Sequence, residues 1–224
     1  MSAATGLGGR LREVRLERGY SLRATAAAAQ VSPSLLSQVE TGKVQPSVST
    51  LYAVTSFLEC SLDEILGGPA AAPGRGTRVS TTGASPVLRA GEGTHLTMEN
   101  GVTWDRLATL DYLGGIDPLL TTYAPHGSSS VDDTHMRHVG IEHGFIIRGE
   151  LTLKLEFESY LLRPGDSVCF DAERPHLYIN HTDIETQGVW FVVGHAQSKR
   201  GTLEPGEVRS AVDVLHIMNQ RGGG

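Results

Sequence analysis

Several functional classes are excluded by what this chain has little of. It holds two cysteines, Cys60 and Cys169, far apart in the sequence and with no Cys-x-x-Cys pair. That is the usage of a reduced, intracellular protein rather than a disulfide-stapled one. No run of about 20 apolar residues is available to span a bilayer, and the N-terminus has no long apolar stretch of the signal-peptide kind. A cytoplasmic protein without a membrane partner is therefore expected. The chain also lacks an excess of positive charge: 19 Lys+Arg stand against 25 Asp+Glu, a formal net charge of -6. Taken alone, this argues against a nucleic-acid binder. The charge is unevenly spread, however. Residues 1–68 balance Arg10, Arg12, Arg15, Arg18, Arg23 and Lys43 against Glu13, Glu17, Glu40, Glu59, Asp63 and Glu64, so the acidity lies in the rest of the chain. A neutral module still binds DNA when its cations face the phosphates.

What is present begins with helical patterning. At 224 residues the chain can hold one large domain or two small ones. Leu7, Leu11 and Val14 recur at helical spacing up to Gly19. Ser21 is a good N-cap for a second helix through the alanine-rich stretch to Ala29. Ser32-Pro33, a cap followed by a first-turn proline, opens a third helix that ends at Gly42. Leu36 and Val39 can face a core there, while Ser34, Ser37 and Gln38 point elsewhere. Pro46-Ser47 begins a fourth helix carrying Val48, Leu51, Val54 and Leu58, and Ser61 caps a short fifth ending at Ile65-Leu66.

The stretches SLRATAAAAQVSPSLLSQVETGKVQPSVSTL and SLDEIL resemble the helix-turn-helix domains of phage-repressor (XRE) type over about 60 residues. The resemblance implies that the second and third helices form the motif and that the third lies in the major groove. By position, Ser34, Ser37 and Gln38 would face base edges, with Gln38 able to pair with adenine N6 and N7. Arg23, Lys43, Ser47 and Ser49 would contact phosphates or anchor the backbone. The TAAAA run departs from the family in leaving few long side chains on the second helix for phosphate contact.

Residues 69–86 are rich in Gly, Ala, Pro, Ser and Thr and read as a flexible linker. From Val87 the pattern changes to short β-type segments separated by turn residues: 87–89, 95–98, 104–109, 119–123, 143–147, 151–157, 167–170, 176–179 and 189–193. In LTLKLEF, Leu151, Leu153, Leu155 and Phe157 alternate with Thr152, Lys154 and Glu156. So many short strands predict a jelly roll or small barrel. The expected fold class is a multidomain α+β chain. A five-helix all-α domain spans 1–68, an all-β domain spans 87–218, and a disordered tail closes the chain at 219–224. AVDVLHIM, residues 211–218, is expected to add a last strand.

HMRHVGIEHGFIIRGEL and LLRPGDSVCFDAERPHLYIN resemble the two motifs of the cupin family, a double-stranded β-helix, in order and spacing. The resemblance implies a metal site. His138 matches the second histidine, Glu142 the glutamate seven residues before Gly149, and His176 the second-motif histidine, with Asn180 after it. The first histidine position falls on Met136, and His135 is one residue out of register, which in a strand turns it to the other face. His143 should likewise face away from Glu142. Two histidines and one carboxylate suit one divalent ion (Zn, Fe, Ni or Mn) with open coordination positions. Trp104, Tyr123, Met136 and Phe145 are candidate walls of an effector pocket.

The joined order resembles bacterial regulators in which the cupin senses an effector. It implies a homodimer on a palindromic double-stranded DNA operator, with a small-molecule effector and repression as the expected sign. No catalytic residue is assigned. The alternative is a non-heme Fe(II) oxygenase or epoxidase acting on a small anionic substrate, with the helical domain as a lid.

Overall fold

A computed structural model describes residues 6–60, 62–66, 87–108 and 116–194. The expected linker (69–86), the strand at 211–218 and the tail (219–224) lie outside them.

The front domain consists of α1 (Leu7–Glu17), α2 (Leu22–Ala28), α3 (Pro33–Glu40), α4 (Val48–Leu58) and a single closing turn, α5 (Leu62–Leu66). The sequence signals sit where they act. Ser21, Ser32 and Ser47 are N-caps whose side chains accept hydrogen bonds from the amides of Ala24, Leu35 and Thr50. Each satisfies one of the donors that a helix start leaves unpaired. Leu11, Val14, Ala26, Leu36, Val39, Leu51, Val54 and Leu58 are buried in the core between the helices. Gly8 lets α1 lie directly on the end of α3, because a Cβ there would stand 1.9 Å from the Val39 carbonyl oxygen. At the same junction Arg15 makes a bidentate pair with Glu40, Nε to Oε1 at 2.6 Å and Nη2 to Oε2 at 2.7 Å. Its Nη1 donates to the Tyr20 carbonyl at 2.9 Å.

The back domain contains β1 (His95–Thr97), β2 (Val102–Arg106), β3 (Ile116–Tyr123), β4 (Ile141–Arg148), β5 (Leu151–Leu155), β6 (Glu158–Leu162), β7 (Ser167–Asp171), β8 (His176–Ile179) and β9 (Thr186–Val193). They form a six-stranded sheet ordered β1-β2-β3-β9-β4-β7 and a three-stranded sheet ordered β6-β5-β8, whose inward faces share one core. Every paired neighbour is antiparallel. Strict alternation along β4 and β5 sends every second side chain inward.

Three local expectations are corrected. Residues 87–89 form no strand. The run from Leu151 does not continue to Phe157: the chain turns at Glu156 (φ 55°), and Phe157 is fully exposed at the hairpin tip. The returning strand β6 was not anticipated, since Tyr160 and Leu161, on opposite faces of it, are both half in solvent and so break the alternation. No helix among the described residues is long and apolar enough to cross a membrane.

The domains meet at the start of α4. The Ser49 amide donates to the Ser129 carbonyl at 3.0 Å, and the Glu99 amide donates to the Pro46 carbonyl at 3.0 Å.

Candidate functional site

On α3, burial of Leu36 and Val39 fixes the rotation of the helix, so Ser34, Ser37 and Gln38 form an exposed polar row. Arg23 and Lys43 are exposed beside the two ends of the motif. Ser47 is not available to a phosphate, being 1% exposed. Its hydroxyl caps α4 and also contacts the hydroxyls of Ser49 and Thr50 at 2.9 and 3.0 Å. Of the two roles expected for Ser47, it performs the backbone anchor. Ser49 is half-buried and its amide is bonded to the β domain, so it too faces that domain.

The second site lies inside the barrel. Glu142 is the second residue of β4, His176 opens β8, and His138 stands in the segment leading into β4. Their ligand atoms all lie within 4.8 Å of one another, and all three side chains are buried. Glu142 Oε2 lies 3.1 Å from His138 Nε2 and 3.4 Å from His176 Nε2. His176 Nδ1 is 2.8 Å from the Arg174 carbonyl oxygen, which accepts a proton only from that nitrogen. The contact fixes the tautomer and leaves Nε2 as a lone pair, and that atom is buried without a hydrogen bond. His138 Nδ1 leans the same way, 3.5 Å from the Val139 carbonyl.

His138 Nε2 can donate to the Glu142 carboxylate, whereas the His176 Nε2 lone pair faces that carboxylate and is repelled by it unless a cation sits between them. A proton or a metal ion would relieve this, and two nitrogens plus one carboxylate with open positions fit a divalent transition metal. Burial pushes the Glu142 carboxyl up, but when the two imidazoles are protonated the bonds they donate, His138 first and then His176, together with their charge outweigh burial and hold it well below the usual carboxylate range. Tyr178 donates to Glu142 Oε1 at 2.7 Å and accepts from Trp190 Nε1 at 3.3 Å. Burial, followed by the neighbouring Glu142 charge, pushes the Tyr178 and Tyr123 hydroxyls well above their ordinary value, so Tyr178 remains a donor.

Met136 occupies the position where a first histidine would stand. It forms an isolated bridge with His176, through bonds of 2.8 and 3.0 Å, and it lines the cavity. His135 is absent from the ligand cluster. His143 faces away from Glu142, as alternation requires.

The cavity beside the ligands measures about 20 Å³, room for about one water. Trp104, Tyr123 and Met136 are among its lining residues. Phe145 is not: three residues from Glu142 it falls on the opposite face of β4 and is 48% exposed. Three lining aromatics went unassigned from sequence. Tyr178 stands two residues from His176, a spacing that puts both on one strand face. Trp190 pairs with Gly144, itself two residues from Glu142. Its indole lies across two glycines: a Cβ on Gly144 would meet Nε1 at 2.9 Å, and one on Gly188 would meet Cζ3 at 2.5 Å. The third is Tyr52, which comes from α4. Its ring stacks on His138 at 3.9 Å and 11° and meets Trp104 edge-on at 5.7 Å.

Comparison with known proteins agrees with this division. Residues 11–65 match the Helix-turn-helix family, and residues 119–193 match the Cupin domain family. The HTH-type transcriptional regulator PuuR of Escherichia coli K12 is 25% identical over 173 residues, covering 77% of this chain and 86% of its own. The HTH-type transcriptional regulator SutR of the same organism is 25% identical over 170 residues, covering 76% and 84%. An HTH_3 family transcriptional regulator from Vibrio cholerae shares the fold. It superposes with a TM-score of 0.59 at 20% identity over 84% of this chain and 95% of that one.

Proposed function

We propose that this chain, a helix-turn-helix domain joined to a cupin domain, is a transcriptional regulator that reads DNA through α3 and senses a ligand through the cupin. The observation that carries this reading is the exposed row Ser34, Ser37 and Gln38 on a helix capped by Ser32 and held by the Arg15–Glu40 pair. A helix that serves only as a lid needs no such row, so the oxygenase alternative gives it no role. Arg23 and Lys43 are assigned to phosphates, and Ser49 to anchoring α4.

The cupin binds one divalent metal through His138, Glu142 and His176. When bound, the ion supplies a Lewis-acid centre that fixes an oxygen donor of the effector. The chain's own residues orient the ligands and exclude water. The protein is cytoplasmic, with domains over 1–68 and 87–218, a connecting segment over 69–86 and a tail over 219–224. It acts as a homodimer and represses from a palindromic operator, because one short recognition helix supplies little specificity alone. Support for the dimer comes from the outer face of the six-stranded sheet. Ile141, Phe145, Ile147, Phe191 and Val193 are all exposed there, with Ile141 opposite Val193 in register. Contiguous apolar surface of this kind marks an interface. Effector binding shifts the regulator only if affinity differs between its DNA-competent and incompetent arrangements.

The test is selection of bound fragments from random genomic DNA, with and without divalent metal, followed by Gln38→Ala on the selected site. Loss of one bidentate base contact costs about 1–3 kcal/mol on the operator and little on random DNA. Equal loss on both, at one salt concentration, refutes the base-reading role.

A further inference from the structure

We propose that α4 of the helix-turn-helix domain is the lid of the cupin cavity, and that the Tyr52 ring occupies the subsite of a flat, oxyanion-bearing ligand. The proposal rests on the sensing role given above and names how that site is read.

Within its own domain α4 packs through Leu51, Val54 and Leu58. Tyr52, on the same helix, is buried against the β domain instead. It is 3% exposed, its ring lies parallel to the His138 imidazole, and it touches the edge of Trp104. Val48, one helical turn earlier on the same face, also reaches the cavity. Among the lining residues these two alone come from outside the β domain, so the wall they form is the mouth. The Ser49–Ser129 and Pro46–Glu99 backbone bonds seat the start of the helix against that mouth. Behind the ring the cavity of about 20 Å³ accepts about one water beside a metal ion and no organic molecule.

An effector that reaches His138 and Glu142 therefore enters by taking the place of Tyr52. The slot left by the ring fixes the ligand's class. One side is the face of His138 and another the edge of Trp104, which together accept a planar ring. The far side is the metal-ligand set with its open positions, which accepts a carboxylate or phenolate oxygen. Because α4 follows α3 in the same helical domain, displacing Tyr52 moves the reading helix relative to the cupin. Ligand and docked domain compete for one space, and ligand affinity falls by the fraction of molecules in which the mouth is closed.

The experiment uses the full chain, Tyr52→Ala and Tyr52→Phe, with benzoate as the probe and one equivalent of zinc. The chain's two tryptophans are Trp104 and Trp190, and both line the cavity, so their fluorescence reports on that site. Y52A is expected to bind benzoate about tenfold tighter than the wild type, with Y52F behaving as the wild type. A metal-free arm follows acylation of His138 by diethyl pyrocarbonate, mapped by peptide mass. His138 should be protected in the wild type and Y52F and reactive in Y52A. Should the alanine variant not fold, by circular dichroism, Tyr52→Leu removes the ring and keeps an apolar side chain. Equal benzoate affinity in the wild type and a folded ring-deletion variant overturns the proposal. So does benzoate binding to neither, or equal protection of His138. Operator affinity with and without benzoate separates the two readings. If Y52A admits benzoate and operator affinity ignores it, the lid stands and the sensing role falls.

Discussion

Replacing Glu40 by Gln tests whether α3 is held as a reading element. The Arg15 and Glu40 side chains are 7% and 4% exposed and joined by two short charge-assisted bonds. E40Q keeps the shape of the side chain and removes its charge: one amide oxygen can still accept from Arg15, but the NH2 replaces the second acceptor and opposes a guanidinium N–H, leaving a buried cation without its counter-charge. A guanidinium cannot shed its proton to escape that cost. Breaking one side of a buried pair costs about 3–5 kcal/mol. For a domain of this size that corresponds to a drop in Tm of about 12–40 °C, at about 4–8 °C per kcal/mol. Differential scanning calorimetry of the full chain should show the helical transition falling while the β transition stays. Arg15→Met combined with Glu40→Leu removes both charges and should recover most of the loss, since an apolar pair of similar volume replaces a buried ion pair at little or no cost. Operator affinity should follow the helical transition, falling in E40Q and returning in the double replacement. A helical Tm for E40Q within a few degrees of the wild type would refute the view that this pair fixes α3.

The remaining expectations concern the cap, the metal and the dimer. Ser32→Ala removes the side-chain acceptor for the Leu35 amide and should cost about 1 kcal/mol; faster hydrogen exchange confined to the start of α3 is the check. His138→Ala with His176→Ala should abolish zinc retention after dialysis while leaving the front helices folded, and unchanged zinc content by elemental analysis would sink the ligand assignment. Phe191→Asp places a charge on the exposed apolar face of β9, where Phe191 is 42% exposed. It should convert a dimer to a monomer by light scattering and weaken operator binding, and an unchanged mass would remove that face from the interface.

Much of the helical half was legible because its signals are local. A serine cap, a first-turn proline or a stretch of alanines acts within a few residues, and α2, α3 and α4 each begin where their caps predict. The grouping of His138, Glu142 and His176 was legible through the order and spacing of the two motifs that resemble the cupin family, and strand parity added that His143 turns away from Glu142. The failures mark where parity stops being informative. Phe157 fits the alternation of β5 but lies past the turn at Glu156, and Phe145 was assigned by residue type although its position sends it outward. Ser47 illustrates a different limit: a good cap and a phosphate contact call for the same residue type, and only burial separates them. Tyr52 could not have been found from its neighbours in sequence. Its partner His138 is remote in the chain, and a tyrosine on a helix face carries no mark of what lies opposite.

The indole of Trp190, lying over Gly144 and Gly188, makes the depth of the cavity depend on two missing methyl groups. An alanine at either position would force the ring upward or push the strand aside, since the added carbon would stand 2.9 Å or less from the indole. Neither glycine touches the ligand set, so such a change would shrink the chamber while leaving its polar chemistry intact. On the sensing role proposed above, the size of molecule accepted would drift in single-carbon steps at the floor, independently of the histidines and carboxylate that would decide what is coordinated. Under that role, selectivity by size and selectivity by charge would be inherited from different residues.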